Sequence, residues 1–138
     1  MKYGSLILEK KEYVLLKRLM TLSGPQRDLI EKSAVKKLTE ELAMALICDE
    51  ADMPADVVRF NSKVTVHSGD WKKTLQLVIP SESDAKVGKI SIMSPMGMGL
   101  IGYSMGDRLN WEFPSGIKEL LIETVEQSDT SATTSILV

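Results

Sequence analysis

The chain contains few residues of the types that perform nucleophilic or metal chemistry. It has one cysteine, Cys48, and one histidine, His67. A disulfide within the chain is therefore excluded, as is a metal cluster built on thiolates or imidazoles. A single histidine offers little basis for a Ser-His-Asp arrangement, and no glycine-rich phosphate loop followed by Lys-Ser or Lys-Thr is present. We expect Cys48 to be a small buried hydrophobe near a helix end, and His67 to be exposed beside a turn.

Two carboxylates, Asp28 and Glu31, lie close to the predicted start of a helix. Their spacing of three would place both on one face of a helix that contains them. Acidic side chains near a helix N-terminus complement the helix dipole by roughly 0.3–1 kcal/mol. A structural role is therefore the favoured interpretation. It depends on where the helix begins, because a start near Ser33 would leave both acids in a loop.

Composition and charge limit the class of protein. The 138 residues have 43% hydrophobic content, which is enough for a packed core, and a net charge of −2. Residues 1–50 hold nine basic and eight acidic side chains, and residues 51–138 hold eight and eleven. Neither half has the basic excess that is typical of a nucleic-acid clamp. No secretory signal and no apolar run of about 20 residues is apparent, so we expect a cytoplasmic protein without membrane contact.

Helical spacing dominates the first 50 residues. Residues 9–22 contain no glycine or proline. Leucines recur at helical intervals from position 8 onward, at Leu8, Leu15, Leu19 and Leu22. The stretch 23–26 breaks this helix, and Ser23 with Gln26 matches a capping box. A second helix is predicted from about Pro25 to Leu46, with an apolar stripe at Val35, Leu38, Leu42 and Ala45. Two helices joined by a short loop predict an antiparallel hairpin, a short coiled coil.

The periodicity then changes from helical to alternating. An acidic run, Asp49, Glu50 and Asp52, and then Pro54 are predicted to end the second helix and form a hinge. Strands are predicted around Val64 and Val66 and over 74–79, with a turn at 68–70 and a polar loop at 81–88. About five strands without long helices between them indicate an antiparallel sheet and an α+β fold.

The segment 89–116 carries the densest set of turn signals. A strand around Ile90 and Ile92 ends at Ser94-Pro95, and a short apolar segment punctuated by glycines predicts one or two turns of helix. Gly106-Asp107 then predicts a turn, and alternation from Leu109 predicts a strand. After the turn at 114–116, residues 117–125 predict another strand.

This ordered set resembles the C-terminal domain of the GreA/GreB transcript-cleavage factors, and even more their shorter relative, the regulator of nucleoside diphosphate kinase. The resemblance is carried by Ser94, Pro95, Gly99, Leu100, Ile101, Gly102, Gly106, Asp107, Pro114 and Gly116, and it covers about residues 8–126. It implies a helical hairpin over 1–52, an FKBP-like domain over 53–127 and a flexible tail over 128–138.

The resemblance also implies a function. The protein would bind bacterial RNA polymerase, with its hairpin in the secondary channel and its second domain docked on the channel rim. The implied polymerase-binding residues are Ser94, Pro95, Met96, Gly97, Gly99, Tyr103, Gly106 and Asp107. Leu100 and Ile101 are expected in the core. No enzyme activity of its own, no cofactor, no metal and no sequence-specific nucleic-acid contact is expected.

Two alternatives remain open at this point. In the cleavage factors, acidic residues at the tip of a longer coiled coil help to hold a catalytic Mg²⁺ in the polymerase. Asp28 and Glu31 are the hairpin-tip residues that could do the same, since Mg²⁺ takes oxygen ligands. The shorter hairpin argues against it. An FKBP-like prolyl isomerase is the other alternative, although the chain has only seven aromatic residues to line a cleft.

Overall fold

The computed structural model describes residues 1–22, 28–113 and 115–128, and in these residues it has seven strands and three α-helices. In chain order they are β1 (Ile7–Glu9), α1 (Lys10–Leu22), α2 (Leu29–Leu42), β2 (Leu46–Cys48), β3 (Lys63–Ser68), β4 (Trp71–Val78), β5 (Lys89–Ser91), α3 (Pro95–Leu100), β6 (Arg108–Phe113) and β7 (Gly116–Glu126). Short 3-10 turns lie at Glu50–Asp52, Pro80–Glu82 and Ala85–Val87. The α+β class is confirmed.

Five strands form the main sheet in the order β5-β4-β3-β7-β6. The pairs β3–β4, β3–β7 and β6–β7 are antiparallel, as the alternating pattern predicted. The pair β4–β5 is parallel, so the prediction of a purely antiparallel sheet is wrong at this edge. The reason is the connection 79–88, whose two 3-10 turns carry the chain back beside β4 before β5 begins.

A second, two-stranded sheet lies near the N-terminus and was not predicted. β1 pairs in parallel with β2, with Ile7 opposite Leu46 and Glu9 opposite Cys48. Cys48 is therefore a partly buried strand residue and not a helix-end residue. The acidic run does not close a helix either, because it follows β2 and forms the 3-10 turn Glu50–Asp52.

Helix α2 is shorter than predicted at both ends. It begins after Asp28, which is extended and caps the helix, and it ends at Leu42. The predicted continuation to Leu46 fails because the Leu46 amide donates to the carbonyl of Leu6 at 2.8 Å, so this backbone belongs to a strand. The predicted capping box at Ser23 and Gln26, the turn residue Pro114 and the tail beyond Ser128 lie outside the described residues.

One hydrophobic core joins the helices to the inner face of the main sheet. It includes Leu8, Leu16 and Leu38 from the N-terminal part and Leu100 and Ile101 from the segment around α3, as predicted for the last two. Leu22, predicted in the leucine stripe of the first helix, is instead 74% exposed. None of the helices in the described part of the chain is long and apolar enough to cross a membrane.

The buried Arg59 connects helix α1 to the segment that precedes β3. The guanidinium of Arg59 donates to both carboxylate oxygens of Glu12 on α1, at 2.8 and 3.2 Å, and to both of Glu50, at 2.6 and 2.8 Å. Arg59 is 6% exposed and Glu12 is 1% exposed. Burial raises the pKa of Glu12, and the bonds from Arg59 only partly oppose this. Arg59 therefore makes two bidentate contacts, one with the buried Glu12 and one with the exposed Glu50.

Candidate partner-binding surface

Helix α3 is stabilised by residues at its N-terminus that are recognisable in the sequence. The Ser94 hydroxyl accepts a hydrogen bond from the Gly97 amide at 3.1 Å, so Ser94 is the N-cap. Pro95 occupies the first turn, where its fixed φ suits a helix and its missing N–H costs nothing. The predicted one or two turns of helix are confirmed over Pro95–Leu100.

The eight residues predicted to bind polymerase fall into two groups in the structure. Ser94, Pro95, Met96 and Gly99 are partly exposed and Gly106 is exposed, whereas Gly97, Tyr103 and Asp107 are buried. Gly106 has φ +91°, a conformation that favours glycine in the turn before β6. The partly exposed group lies on α3 and forms one side of a surface that a partner could reach.

Tyr103 connects helix α2 to the segment that precedes β3. Its hydroxyl donates to the Glu41 carboxylate on α2, and its carbonyl accepts from the Val58 amide at 2.8 Å. Burial and then the bond to Glu41 raise the pKa of the Tyr103 hydroxyl well above its usual value, so it stays protonated. The ammonium of Lys37 lies 5.5 Å from the centre of the ring. Tyr103 is therefore engaged within the chain, and its role as a partner contact stays a prediction.

Asp107 is engaged in a similar way at the start of β6. One carboxylate oxygen accepts from the Ser104 amide at 2.8 Å, and the other accepts from the Lys2 amide at 2.6 Å. The carboxylate thus closes the turn at Gly106 and ties the N-terminal residues to it. This contact positions the turn, whatever partner the neighbouring surface binds.

An open, largely apolar cleft of about 210 Å³ lies between α2, α3 and β6. Its floor is set by the approach of α3 to the sheet, where a Cβ added to Gly99 would lie 2.8 Å from the Trp111 ring. Lys37 and Glu112 are charged residues in its lining. The lining residues are Ile30, Ser33, Ala34, Lys37, Pro95, Met98, Gly99, Asn110, Trp111 and Glu112. We call this the α2–α3 cleft; it combines predicted binding residues with the first half of α2.

One of the two candidate tip acids, Asp28, caps helix α2. The Asp28 carboxylate accepts from the Glu31 amide at 2.8 Å, and Glu31 lies in the first turn of α2. Asp28 is therefore the N-cap of α2, and the hairpin-tip role of the two acids stays a prediction. Asp28 is outside the helix, so the two acids do not share a helical face. Within the described residues, no three His, Cys, Asp or Glu side chains are grouped so that they could hold a metal ion.

Replacing Asp28 by alanine is expected to lower the free energy of unfolding by about 1 kcal/mol, because the Glu31 amide loses its acceptor. Asp28→Asn keeps an acceptor oxygen and removes the charge, so it should cost a few tenths of a kcal/mol through the dipole alone. Urea unfolding of both variants measures the difference. Equal losses in the two variants would mean that charge, and not capping, makes Asp28 stabilising.

The side-chain contacts of Arg59, Glu12 and Glu41 were not predicted from the sequence. A signal was present for the first two. Glu12 follows Leu8 by four positions within the apolar stripe of α1, and Arg59 stands inside the apolar run 57–60. A charged residue among buried ones usually has a buried partner. Their pairing spans 47 positions, so the sequence alone does not connect them.

Comparison with known proteins gives a consistent set of similarities. The family model described as "Transcription elongation factor, GreA/GreB, C-term" matches residues 53–127. Transcription elongation factor GreA of Pelobacter propionicus is 37% identical over 87 residues, covering 62% of this chain and 55% of the relative. The regulator of nucleoside diphosphate kinase of Escherichia coli is 35% identical over 82 residues, covering 58% of this chain and 60% of the relative.

A solved structure extends the similarity to the N-terminal part. The prokaryotic transcription elongation factor GreA/GreB from Nitrosomonas europaea is 30% identical, with a TM-score of 0.71 over 90% of this chain and 99% of that one. The matches to the two curated relatives, in contrast, span less than two thirds of those relatives' lengths.

Proposed function

Because this chain belongs to the family of GreA/GreB transcription elongation factors, we propose that it binds bacterial RNA polymerase and regulates transcription. In this proposal α1 and α2 form the arms of a hairpin that enters the secondary channel. The FKBP-like domain, made of the main sheet and α3, docks on the rim of that channel. The protein acts in the cytoplasm by occupying the channel and competing with other factors that enter it, and it has no catalytic activity of its own.

The observation that carries the proposal is the α2–α3 cleft. Its two sides come from the hairpin arm and from the predicted docking segment, and α2 packs directly on α3. An apolar cleft with a few polar groups at its edge is the usual form of a partner-binding groove. A partner seated there would contact the arm and the domain together, and would thereby fix the direction in which the arm points.

The proposed hairpin favours a regulator over a cleavage factor. Helices α1 and α2 have 13 and 14 residues, so each arm is about 20 Å long at 1.5 Å per residue. In addition, the Asp28 carboxylate already accepts a hydrogen bond from its own helix. A short arm with a capping acid at its end suits occupation of a channel better than delivery of metal ligands to a distant centre.

A backtracked bacterial elongation complex tests the proposal. This protein is added at rising concentration, alone and together with a known cleavage factor as competitor. We expect it to suppress the competitor's transcript cleavage and to cause none itself. Cleavage by this protein alone would instead support the alternative in which Asp28 and Glu31 serve the polymerase Mg²⁺. No effect on either reaction would refute binding in the channel.

The variant Met96→Asp places a charge on the partly exposed side of α3. We expect it to weaken the competition at least about tenfold, as for a contact residue at the centre of an interface. Met44→Asp is the matched control, because Met44 is 77% exposed and follows α2 at the end opposite to Ile30. Circular dichroism checks that both variants fold. Equal inhibition by the two variants would show that the partner does not bind at α3.

A further inference from the structure

A second surface lies at one end of the main sheet, where the turn between β3 and β4 and the turn between β6 and β7 are neighbours. Trp71 begins β4 and Phe113 ends β6, and their rings meet edge to face with centroids 5.3 Å apart and an angle of 70°. With Ser68, Ser115 and Lys118 they line an open pocket of about 280 Å³. We call these five residues the aromatic corner. It has no lining residue in common with the α2–α3 cleft.

The aromatic corner continues the core-facing side of the sheet beyond the region that other elements cover. Trp71 lies four positions before the buried Leu75, and Phe113 lies four positions after the buried Leu109, so both share the inner face. Helix α3 covers Trp111, the inner-face residue between Leu109 and Phe113. Trp71 is left 38% exposed. Part of the Trp71 side chain is therefore open to a ligand.

Two lysine side chains lie beside this surface, although the whole chain carries −2. In the described part of the chain, no ion pair involves Lys118 or Lys73, which lies two positions after Trp71 on the same face. Lys72 points to the opposite face and pairs with Glu123 at 3.1 Å. The unpaired ammonium groups favour an anionic ligand on the inner face.

We propose that the aromatic corner binds a nucleobase that carries a phosphate, which is the chemistry shared by a free nucleotide and single-stranded RNA. The base stacks on Trp71 and the phosphate lies near Lys118. Every base offers a π-face, so such stacking tolerates any sequence. The hydroxyls of Ser68 and Ser115 supply donors and acceptors for the polar edge of the base. This binding goes beyond the proposed docking on polymerase and needs no polymerase to be observed.

The direct test is a nuclear magnetic resonance titration of the ¹⁵N-labelled full chain with adenosine, AMP and a single-stranded hexa-adenylate RNA. The chain has two tryptophans, so the indole signals of Trp71 and Trp111 separate the aromatic corner from the α2–α3 cleft. We expect AMP or the RNA to shift the Trp71 indole signal at lower concentration than adenosine, which lacks the phosphate. An unchanged Trp71 signal with all three ligands would overturn the proposal.

Variants test the two halves of the site separately. Trp71→Ala should weaken binding about tenfold, which is within the range for loss of one stacked base. Log affinity for the RNA falls as log salt rises, and Lys118→Ala should make this slope less steep by about one. Lys72→Ala is the matched control, since it removes a lysine from the opposite face and should leave both quantities unchanged. Equal losses in Lys118→Ala and Lys72→Ala would reduce the effect to general charge and overturn the proposal.

The ligand series identifies the source of the base. Tighter binding of the RNA than of AMP supports single-stranded RNA, and equal binding supports a free nucleotide. Neither result depends on the elongation assay described above. Failure of the polymerase proposal and failure of this one are therefore separate observations.

Discussion

Replacing Arg59 by methionine is expected to lower the free energy of unfolding by about 3–5 kcal/mol, the largest single effect that we foresee in this chain. Methionine preserves much of the buried apolar volume but removes all four hydrogen bonds to Glu12 and Glu50. Glu50 is exposed and can be solvated, whereas Glu12 is 1% exposed and would keep an uncompensated charge. The loss should therefore come mainly from Glu12.

The double variant Glu12→Gln with Arg59→Met is the control for this cause. It removes the buried charge together with its partner, so it should recover most of the lost stability. Urea unfolding of the two single variants, the double variant and the parent gives the coupling energy. If Arg59→Met and the double variant were equally destabilised, the loss would be due to packing and not to the unpaired carboxylate.

The pH dependence provides an independent readout of the same pair. Burial raises the pKa of Glu12, and loss of Arg59 removes the main opposing influence, so the folded Arg59→Met variant binds a proton at Glu12 more readily than its unfolded chain does. The stability of the variant then falls as the pH rises above the pKa of glutamate in the unfolded chain, so its deficit relative to the parent should shrink as the pH is lowered from neutral. The double variant has no carboxylate at position 12 and should lack this change. A deficit independent of pH would contradict the assignment.

The secondary structure shows which parts of the fold could be predicted from the sequence. The strands β3, β4, β6 and β7 and the helix α3 follow from alternation and from Ser-Pro and glycine signals within a few residues of each element. The pair β1–β2 could not be predicted in this way, because each strand has three residues and Ile7 pairs with Leu46. So short a strand is defined by its partner, and its partner lies far along the chain.

The candidate site also contains residues that were predicted and residues that were not. Ser94, Pro95, Met96 and Gly99 were expected in a binding surface from the family resemblance, and the structure places them together on or next to α3. The contribution of Ile30 and Ala34 to the α2–α3 cleft was not predicted, since it depends on how α2 packs against α3. The aromatic corner was not predicted, because no local signal near Trp71 or Phe113 indicates that the two rings meet. Their contact joins positions 42 apart, across two turns of the sheet.

The second large effect is expected from Gly97→Ala, where the usual sign should be inverted. Alanine normally stabilises a helix interior by up to about 1 kcal/mol relative to glycine. Here a Cβ would lie 2.2 Å from the carbonyl oxygen of Ser91 and 2.8 Å from that of Ile92, both of which are backbone atoms. Neither can rotate away, so α3 must move off β5. We expect a loss of about 3 kcal/mol in the free energy of unfolding, at the upper end for overpacked sites.

Gly99→Ala is the graded comparison for this prediction, because its Cβ would meet a side chain, the Trp111 ring, at 2.8 Å. The ring can tilt, so this variant should lose less stability than Gly97→Ala while still altering the floor of the α2–α3 cleft. Urea unfolding ranks the two variants, and the competition assay on the elongation complex ranks their binding. If Gly97→Ala were as stable as the parent, the close approach of α3 to Ser91 would be refuted. If both variants folded but Gly99→Ala alone lost competition, the cleft floor, and not the position of α3, would carry the contact.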